Sequence, residues 1–118
     1  MYWWKLERKK TKKTNQILKR QIEKGLKTIK NKSKIIIAYE PVWAIGTGVI
    51  PKEEALIQTI SFIKSRFVKK YPKILYGGSV SANNADKLKK IPNIDGFLIG
   101  GASQNPKKFI DIIQKTII

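Results

Sequence analysis

The sequence predicts an α/β fold built from parallel strands that alternate with helices. Three short, nearly all-apolar runs have the length of strands, and each is followed by apolar residues at helical spacing. Strands of this kind are typical of parallel sheets that helices cover. With 118 residues, the chain has room for one domain at most. Because the loops at the carboxyl ends of parallel strands carry the chemistry in such folds, we expect a site there.

The first predicted element is a helix that Thr14 or Asn15 would cap, with apolar residues three or four positions apart at Leu18, Ile22, Leu26 and Ile29. The first strand is expected at residues 35–39 and should be buried on both faces. A loop with several glycines and prolines, residues 41–51, leads to a second helix. Glu53 and Glu54 lie in the first turn of that helix, where the helix dipole favours acidic side chains.

The second half of the chain repeats the strand–helix pattern twice. A strand at residues 74–76 ends at Gly77, and a short helix is expected over residues 84–90. A third strand, residues 96–99, ends at Gly100, and Pro106 begins the last helix. The predicted order is therefore one helix followed by three strand–helix units.

The net charge of +17 raises the question of nucleic-acid binding. Of the 25 basic residues, however, 22 are lysine, whereas bases and phosphates are read mainly by the forked guanidinium of arginine. We therefore expect weak attraction to phosphate but no specific nucleic-acid partner. Cysteine is absent, so no disulfide can form, and the absence of histidine removes the commonest metal ligand. We expect neither a metal site nor a cofactor.

The sequence also bears on location. No apolar run approaches the roughly 18 residues that a membrane span needs, and the first residues are too short an apolar stretch for a signal peptide. We expect a soluble, cytoplasmic protein that does not bind membranes.

Three motifs in order connect the sequence to a known family. Residues 38–48 read Ala-Tyr-Glu-Pro-Val-Trp-Ala-Ile-Gly-Thr-Gly, residues 76–80 read Tyr-Gly-Gly-Ser-Val, and residues 95–103 read Asp-Gly-Phe-Leu-Ile-Gly-Gly-Ala-Ser. Together they resemble the triosephosphate isomerase family over about residues 5–118. The resemblance implies parallel βα units of a TIM (β/α)8 barrel with about half the barrel present. Residues 1–118 would form a partial domain, from the end of the fifth strand through the eighth helix.

The resemblance also implies an activity and a site. The activity is the interconversion of dihydroxyacetone phosphate and glyceraldehyde 3-phosphate by proton transfer through an enediol(ate), with a triose phosphate as substrate. Glu40 would be the catalytic base, partly desolvated at the end of an apolar strand. The phosphate would be bound by Gly46, Ser79, Gly100 and Gly101. The mobile lid would comprise Pro41, Val42, Trp43, Ala44, Ile45, Thr47 and Gly48, with Tyr76 hydrogen-bonding its closed form.

Taken one by one, these residues have plainer interpretations. Glu40 would be a solvated strand-end glutamate, residues 46–48 an ordinary glycine-rich connection, and Tyr76 a core side chain. The glycine pairs after the second and third strands would be tight turns that need positive φ. We assign Gly77 and Gly78 a mainly conformational role, whereas the matched motifs favour the functional interpretation of the other residues.

The sequence departs from the family in ways that bear on activity. A complete barrel needs roughly 250 residues, and the family's phosphate-binding lysine and carbonyl-polarising histidine have no counterpart here. Residues 1–4 replace the usual end of the fifth strand, Val49 and Ile50 replace a polar lid hinge, and Lys52 replaces a Ser/Thr helix cap. A complementary amino-terminal half or a homodimer is the protein partner that the resemblance implies. The alternative is an inactive gene remnant or a basic, non-enzymatic binding fragment.

Overall fold

The structure is a computed structural model that describes residues 3–41, 48–68 and 71–117, with only the backbone described for residues 3–12 and 33. The helices are α1 (Trp3–Gly25), α2 (Glu53–Ser65), α3 (Ala85–Leu88) and α4 (Pro106–Ile117). The strands are β1 (Ile36–Tyr39), β2 (Lys73–Tyr76) and β3 (Gly96–Phe97). Short 3₁₀ helices occur at Lys32–Lys34 and Gly101–Gln104. The predicted order of one helix and three strand–helix units is confirmed.

The strands form a parallel sheet in the order β1-β2-β3. The register places Tyr39 beside Tyr76 and Tyr76 beside Phe97, so the carboxyl ends of the strands lie together at one edge. Asp95 fixes the other end of the β2–β3 pair, since its backbone N–H donates to the Ile74 carbonyl and its carboxylate accepts from the Ile74 N–H. The predicted parallel α/β fold is therefore confirmed.

The hydrophobic core lies between one face of the sheet and the helices. Ile74 and Tyr76 of β2 are buried against this helical layer, which includes the buried α2 residues Leu56, Ile60 and Ile63. Farther along the chain, Ala85, Leu88, Ile91 and Ile112 belong to the same cluster. Leu18, Ile22 and Leu26 pack against the core from α1, as their spacing predicted.

The expectation that the first strand is buried on both faces is wrong. Ile36 is 65% exposed, and Ala38 is exposed on the same face of β1, whereas Ile37 and Tyr39 point to the helical side. Two causes act together. β1 lies at an edge of the sheet, and the face that carries Ile36 and Ala38 is not covered by the helices of the core. An apolar run shows that a strand is suited to burial, but not that a covering layer is present.

The first helix begins earlier than its apolar spacing predicted. It starts at Trp3 and runs through Thr14 and Asn15, so neither residue is its cap. Lysine, arginine, glutamine and glutamate are good helix formers, and neither glycine nor proline interrupts the chain before Gly25. The resemblance matches residues 1–4 to the end of a fifth strand, but Trp3 and Trp4 belong to α1, and Met1 and Tyr2 lie outside the described residues.

The other predicted bounds shift by a few residues. The helix expected over residues 84–90 is a single turn at Ala85–Leu88, and β3 ends at Phe97 rather than at Ile99. Lys52 is the residue before α2 and makes no side-chain cap hydrogen bond, in agreement with the departure noted in the sequence. In the described ranges, each helix is too short or too polar to span a membrane.

Candidate active site at the carboxyl edge of the sheet

Backbone hydrogen bonds continue past the last residues of the strands and join the first residues of the loops that follow them. The Gly77 N–H donates to the Tyr39 carbonyl at 2.8 Å, and the Leu98 N–H donates to the Tyr76 carbonyl at 2.9 Å. Glu40, Gly77 and Leu98 therefore follow one another across the edge, one after each strand. Residues far apart in the sequence meet at the edge where parallel α/β folds carry their sites.

The Glu40 side chain lies directly against Gly77. A Cβ built on Gly77 would be 2.7 Å from Glu40 Cγ and 3.2 Å from Glu40 Oε1. Ordinary carbon–carbon contacts are about 3.5–4.0 Å, so only a glycine leaves room for the glutamate in this position. The absence of a side chain at Gly77 thus leaves the space that Glu40 occupies.

This contact corrects the interpretation of the glycine pairs. Among the described glycines only Gly48 has positive φ, so the turns at Gly77 and Gly78 do not need it. Their requirement is steric, since a Cβ on Gly78 would lie 2.5 Å from Cζ of Tyr76. Glu40 itself is exposed, so the partial desolvation expected at the end of an apolar strand is not found among the described residues.

Ser79 connects the loop after β2 to Gly48, the last residue of the predicted lid. The Gly48 N–H donates to Ser79 Oγ at 3.1 Å, although the two residues are 31 positions apart. Gly48 has φ of 76°, a conformation that glycine adopts without strain. A hydroxyl both accepts and donates, so Ser79 is also suited to donate to a phosphate oxygen.

Asn84 holds the Ser79 loop in shape. Its Oδ1 accepts from the Ser81 N–H at 2.8 Å, and its Nδ2 donates to the Ser79 carbonyl at 3.0 Å. Both bonds are part-buried, which protects them from competing water. The Asn84 side chain, directly before α3, therefore holds the loop between β2 and α3 in place.

Two tyrosines stand behind the edge on the helical side. Burial raises the pKa of Tyr76 to about 12, and the neighbouring Tyr39 adds to this rise. Burial also raises the pKa of Tyr39, and a hydrogen bond with Thr59 of α2 partly offsets the rise. Tyr76 is 0% exposed, and its hydroxyl has no hydrogen-bond partner among the described residues.

The structure brings only some of the predicted site residues together. Glu40, Ser79, Gly48 and Tyr76 gather around the ends of β1 and β2, and Pro41 is buried next to Glu40 in the chain. The lid and phosphate residues Val42, Trp43, Ala44, Ile45, Gly46 and Thr47 lie outside the described residues. The structure therefore does not test the lid assignment or the hydrogen bond predicted between Tyr76 and the closed lid.

Gly100 and Gly101 follow β3 at the same edge of the sheet. Both are exposed, and a Cβ on either would meet nothing within 4 Å. The Gly100 carbonyl is occupied, since it accepts from the N–H and the hydroxyl of Ser103. The open surroundings allow an anion to approach the backbone here, and the phosphate-binding assignment remains a prediction.

Sequence reasoning missed two residues that shape the site. The side-chain amide of Asn84 bonds the backbone of the Ser79 loop. The sequence pattern that could have indicated this contact is Ser81-x-x-Asn84, since serine and asparagine are common in turns. Thr59, which is 8% exposed, bonds Tyr39 from a different element and left no local signal. In the described ranges no group of acidic side chains is arranged to hold a metal ion.

The arrangement has the parts that proton transfer next to an anion requires. A carboxylate can accept a proton from carbon, while hydroxyl and backbone N–H groups nearby can hold a charged substrate in place.

Comparison with known proteins supports the family resemblance that the three sequence motifs indicated. The family model described as triosephosphate isomerase matches residues 5–116. A triosephosphate isomerase of Thermodesulfovibrio yellowstonii is 44% identical over 114 residues, covering 92% of this chain and 46% of the relative. One from Mycoplasma mobile is 49% identical over 102 residues, covering 86% and 42%. One from Francisella tularensis subsp. holarctica is 42% identical over 118 residues, covering 93% and 47%. The chain spans less than half the length of these relatives, and it belongs to the triosephosphate isomerase family.

Proposed function

We propose that this chain supplies the catalytic base, the lid and the phosphate-binding loops of a triosephosphate isomerase. The reaction is the interconversion of dihydroxyacetone phosphate and glyceraldehyde 3-phosphate. The observation that carries the proposal is that the Glu40 side chain lies against Gly77, so that a carboxylate is present at the carboxyl edge of a parallel sheet. Membership of the family supports it.

Each residue has a distinct role in the proposed reaction. Glu40 removes a proton from one carbon of the triose phosphate and returns it to the neighbouring carbon through an enediol(ate). Ser79, Gly46, Gly100 and Gly101 bind the phosphate through a hydroxyl and backbone N–H groups. The lid, residues 41–48, closes over the substrate and excludes water, and the Gly48–Ser79 hydrogen bond supports a connection between lid and phosphate loop.

The proposed enzyme needs more than this chain. Glu40 is exposed, and the sequence contains no histidine that could polarise the substrate carbonyl. The lysine that binds phosphate in the family also has no counterpart. We infer that activity requires a complementary amino-terminal half in the cytoplasm, which would cover Glu40 and add both groups. Homodimerisation would then involve the completed enzyme.

A second candidate function comes from the charge. With 25 basic and 8 acidic residues, the chain can attract polyanions without any catalysis. A gene remnant or a basic binding fragment would have the same fold and the same strand-end motifs. The two functions differ in one measurable respect, which is turnover of a triose phosphate when the missing half is supplied.

The test is a reconstitution. The chain is mixed with the amino-terminal part of the Mycoplasma mobile relative that precedes its matched segment, and isomerase activity is measured in a coupled assay. We expect activity from the mixture and none from either part alone, since losing preorganised donors lowers turnover by about 10² to 10³ each. A mixture that forms a complex yet stays inactive would favour the remnant or binding function.

A further inference from the structure

Basic side chains are concentrated in the second half of α1 and in the connection that follows it. Residues 13–34 contain eight basic side chains and one acidic side chain, Glu23. All nine are exposed. Lys19 Nζ lies 4.0 Å from Glu23 Oε1, and both side chains of this pair are more than half exposed. Since an exposed pair of this kind is weak, the segment stays strongly positive.

Helical geometry places several of these residues on the side of α1 that faces away from the core. With about 100° between successive residues, Lys13, Arg20 and Lys24 lie within about 40° of one another and about 180° from the apolar stripe that packs against the core. Lys27 continues the series in the turn after the helix. We call Lys13, Arg20, Lys24 and Lys27 the basic row. In the part of the chain that the structure describes, none of the four forms an ion pair with a carboxylate.

The basic row is separate from the proposed active site. The apolar stripe of α1 faces the core, so the helix itself lies between the row and the sheet. From Lys27 the chain leads to the amino end of β1, whereas Glu40 follows the carboxyl end of that strand. Binding of a triose phosphate beside Glu40 therefore gives no reason for the charge on this face of α1.

Two kinds of partner fit the row poorly. A helix that binds a membrane surface inserts apolar side chains, but the apolar stripe of α1 is used in the core. Within the described residues 13–27, Ile17 is the one large apolar side chain that is exposed, at 48%. A protein partner is also disfavoured, because lysine is depleted and aromatic residues are enriched in protein interfaces.

The phosphate backbone of a nucleic acid fits the row better. It presents closely spaced negative charges, and the row extends over about 17 Å between Lys13 and Lys24 alone. Lysine binds phosphate as a point charge, and Arg20 alone in the row carries the guanidinium fork that reads base edges. Residues 13–34 contain no aromatic side chain on which bases could stack. Affinity at this face therefore comes from charge and falls steeply with salt.

We propose that the basic row of α1 binds the phosphate backbone of nucleic acids without preference for base sequence. The inference goes beyond the proposed isomerase function and does not depend on it. It assigns the attraction to polyanions to one face of one helix rather than to the net charge of the whole chain.

The test is a titration of a fluorescein-labelled thymidine 20-mer with the full chain, followed by fluorescence anisotropy at several salt concentrations. The row variant combines three substitutions that remove charge and keep helix propensity, Arg20→Gln, Lys24→Gln and Lys27→Gln. The control variant removes three exposed lysines of α3 and α4 by Lys87→Gln, Lys107→Gln and Lys108→Gln. Both variants have the same net charge, so a difference between them depends on position.

We expect the row variant to raise Kd at least about tenfold near 0.1 M salt and the control variant to change Kd less than about threefold. Each lysine or arginine contact with a single-stranded phosphate contributes about 0.7 to the slope of log K against log salt. The magnitude of the slope should therefore fall by about 2 in the row variant. Circular dichroism checks that both variants fold. If the row variant does not fold, Lys13→Gln combined with Lys24→Gln replaces it, with an expected fall of about 1.4.

Three results would overturn the proposal. The unmodified chain could fail to bind the 20-mer at low salt. The row and control variants could lose affinity equally, which would show that net charge alone accounts for binding. The unmodified chain could bind phosphatidylserine vesicles but not the 20-mer, which would make a membrane the partner of this face.

Discussion

Replacing Gly77 with alanine tests the placement of Glu40, the proposed catalytic base. The new methyl group would lie 2.7 Å from Glu40 Cγ and 3.4 Å from Glu40 Cδ. To restore an ordinary carbon–carbon distance of about 3.5 Å, the glutamate side chain must move by roughly 0.8 Å. Because Glu40 is exposed, its side chain can make this movement without disturbing the core.

The expected effect therefore falls on catalysis rather than on stability. A misplacement of about 1 Å at a reacting group can lower the rate about 10²-fold. In the reconstituted enzyme, we expect Gly77→Ala to lower kcat by about two orders of magnitude with a small change in KM. The melting temperature of the chain should change little, since φ at Gly77 is not positive and alanine is tolerated there.

The assay compares kcat and KM in the coupled isomerase reaction, with Gly25→Ala as control. Gly25 ends α1, and a Cβ there would meet nothing within 4 Å. Unchanged kcat in Gly77→Ala would refute the reasoning that this glycine positions the base. A large loss of melting temperature would show instead that the contact belongs to the packing of the fold.

Three other substitutions have separate expected results. Ser79→Ala should raise KM about tenfold or more, because a hydrogen bond to a charged oxygen contributes roughly 1.5 to 3 kcal/mol. Ser65→Ala is the control and should leave KM unchanged. Gly46→Val should lower kcat and substrate affinity together by hindering lid closure. Tyr76 keeps its proton up to a pKa of about 12 in the folded chain against 10.0 for an ordinary tyrosine, so folding stability should fall as pH rises through this window. The free energy of unfolding, measured with urea at pH 9 and 11, should fall less in Tyr76→Phe than in the unmodified chain. An equal fall in both proteins would contradict a raised pKa of the buried Tyr76 hydroxyl.

Most of the architecture could be predicted from the sequence because each element carries its own signal. The apolar runs around Ile74 and Phe97 are confirmed as parallel strands, and the stripe of Leu18, Ile22 and Leu26 packs as predicted. The burial of β1 could not be predicted, since it depends on neighbours rather than on the strand itself. Ile36 and Ala38 are as apolar as a covered strand would be, yet they face solvent.

The site was predictable in position but not in its supporting contacts. The motifs placed Glu40 and Ser79 after adjacent strands, and the structure puts them at one edge. The contact of Gly77 with Glu40 and the bond of Ser79 with Gly48 join residues more than 30 positions apart. Such contacts depend on strand register and loop path, which no local pattern encodes. The same limit applies to Thr59, whose partner Tyr39 lies on another element.

The most direct test of the account is the loss of turnover in Glu40→Gln. The substitution keeps the size of the side chain and removes the base, so kcat of the reconstituted enzyme should fall by about 10² to 10⁴. Affinity for a non-reacting phosphate inhibitor should remain, and Glu54→Gln, in the first turn of α2, should leave both quantities unchanged. Full activity in Glu40→Gln would contradict the assignment of the base and with it the proposed function of the chain.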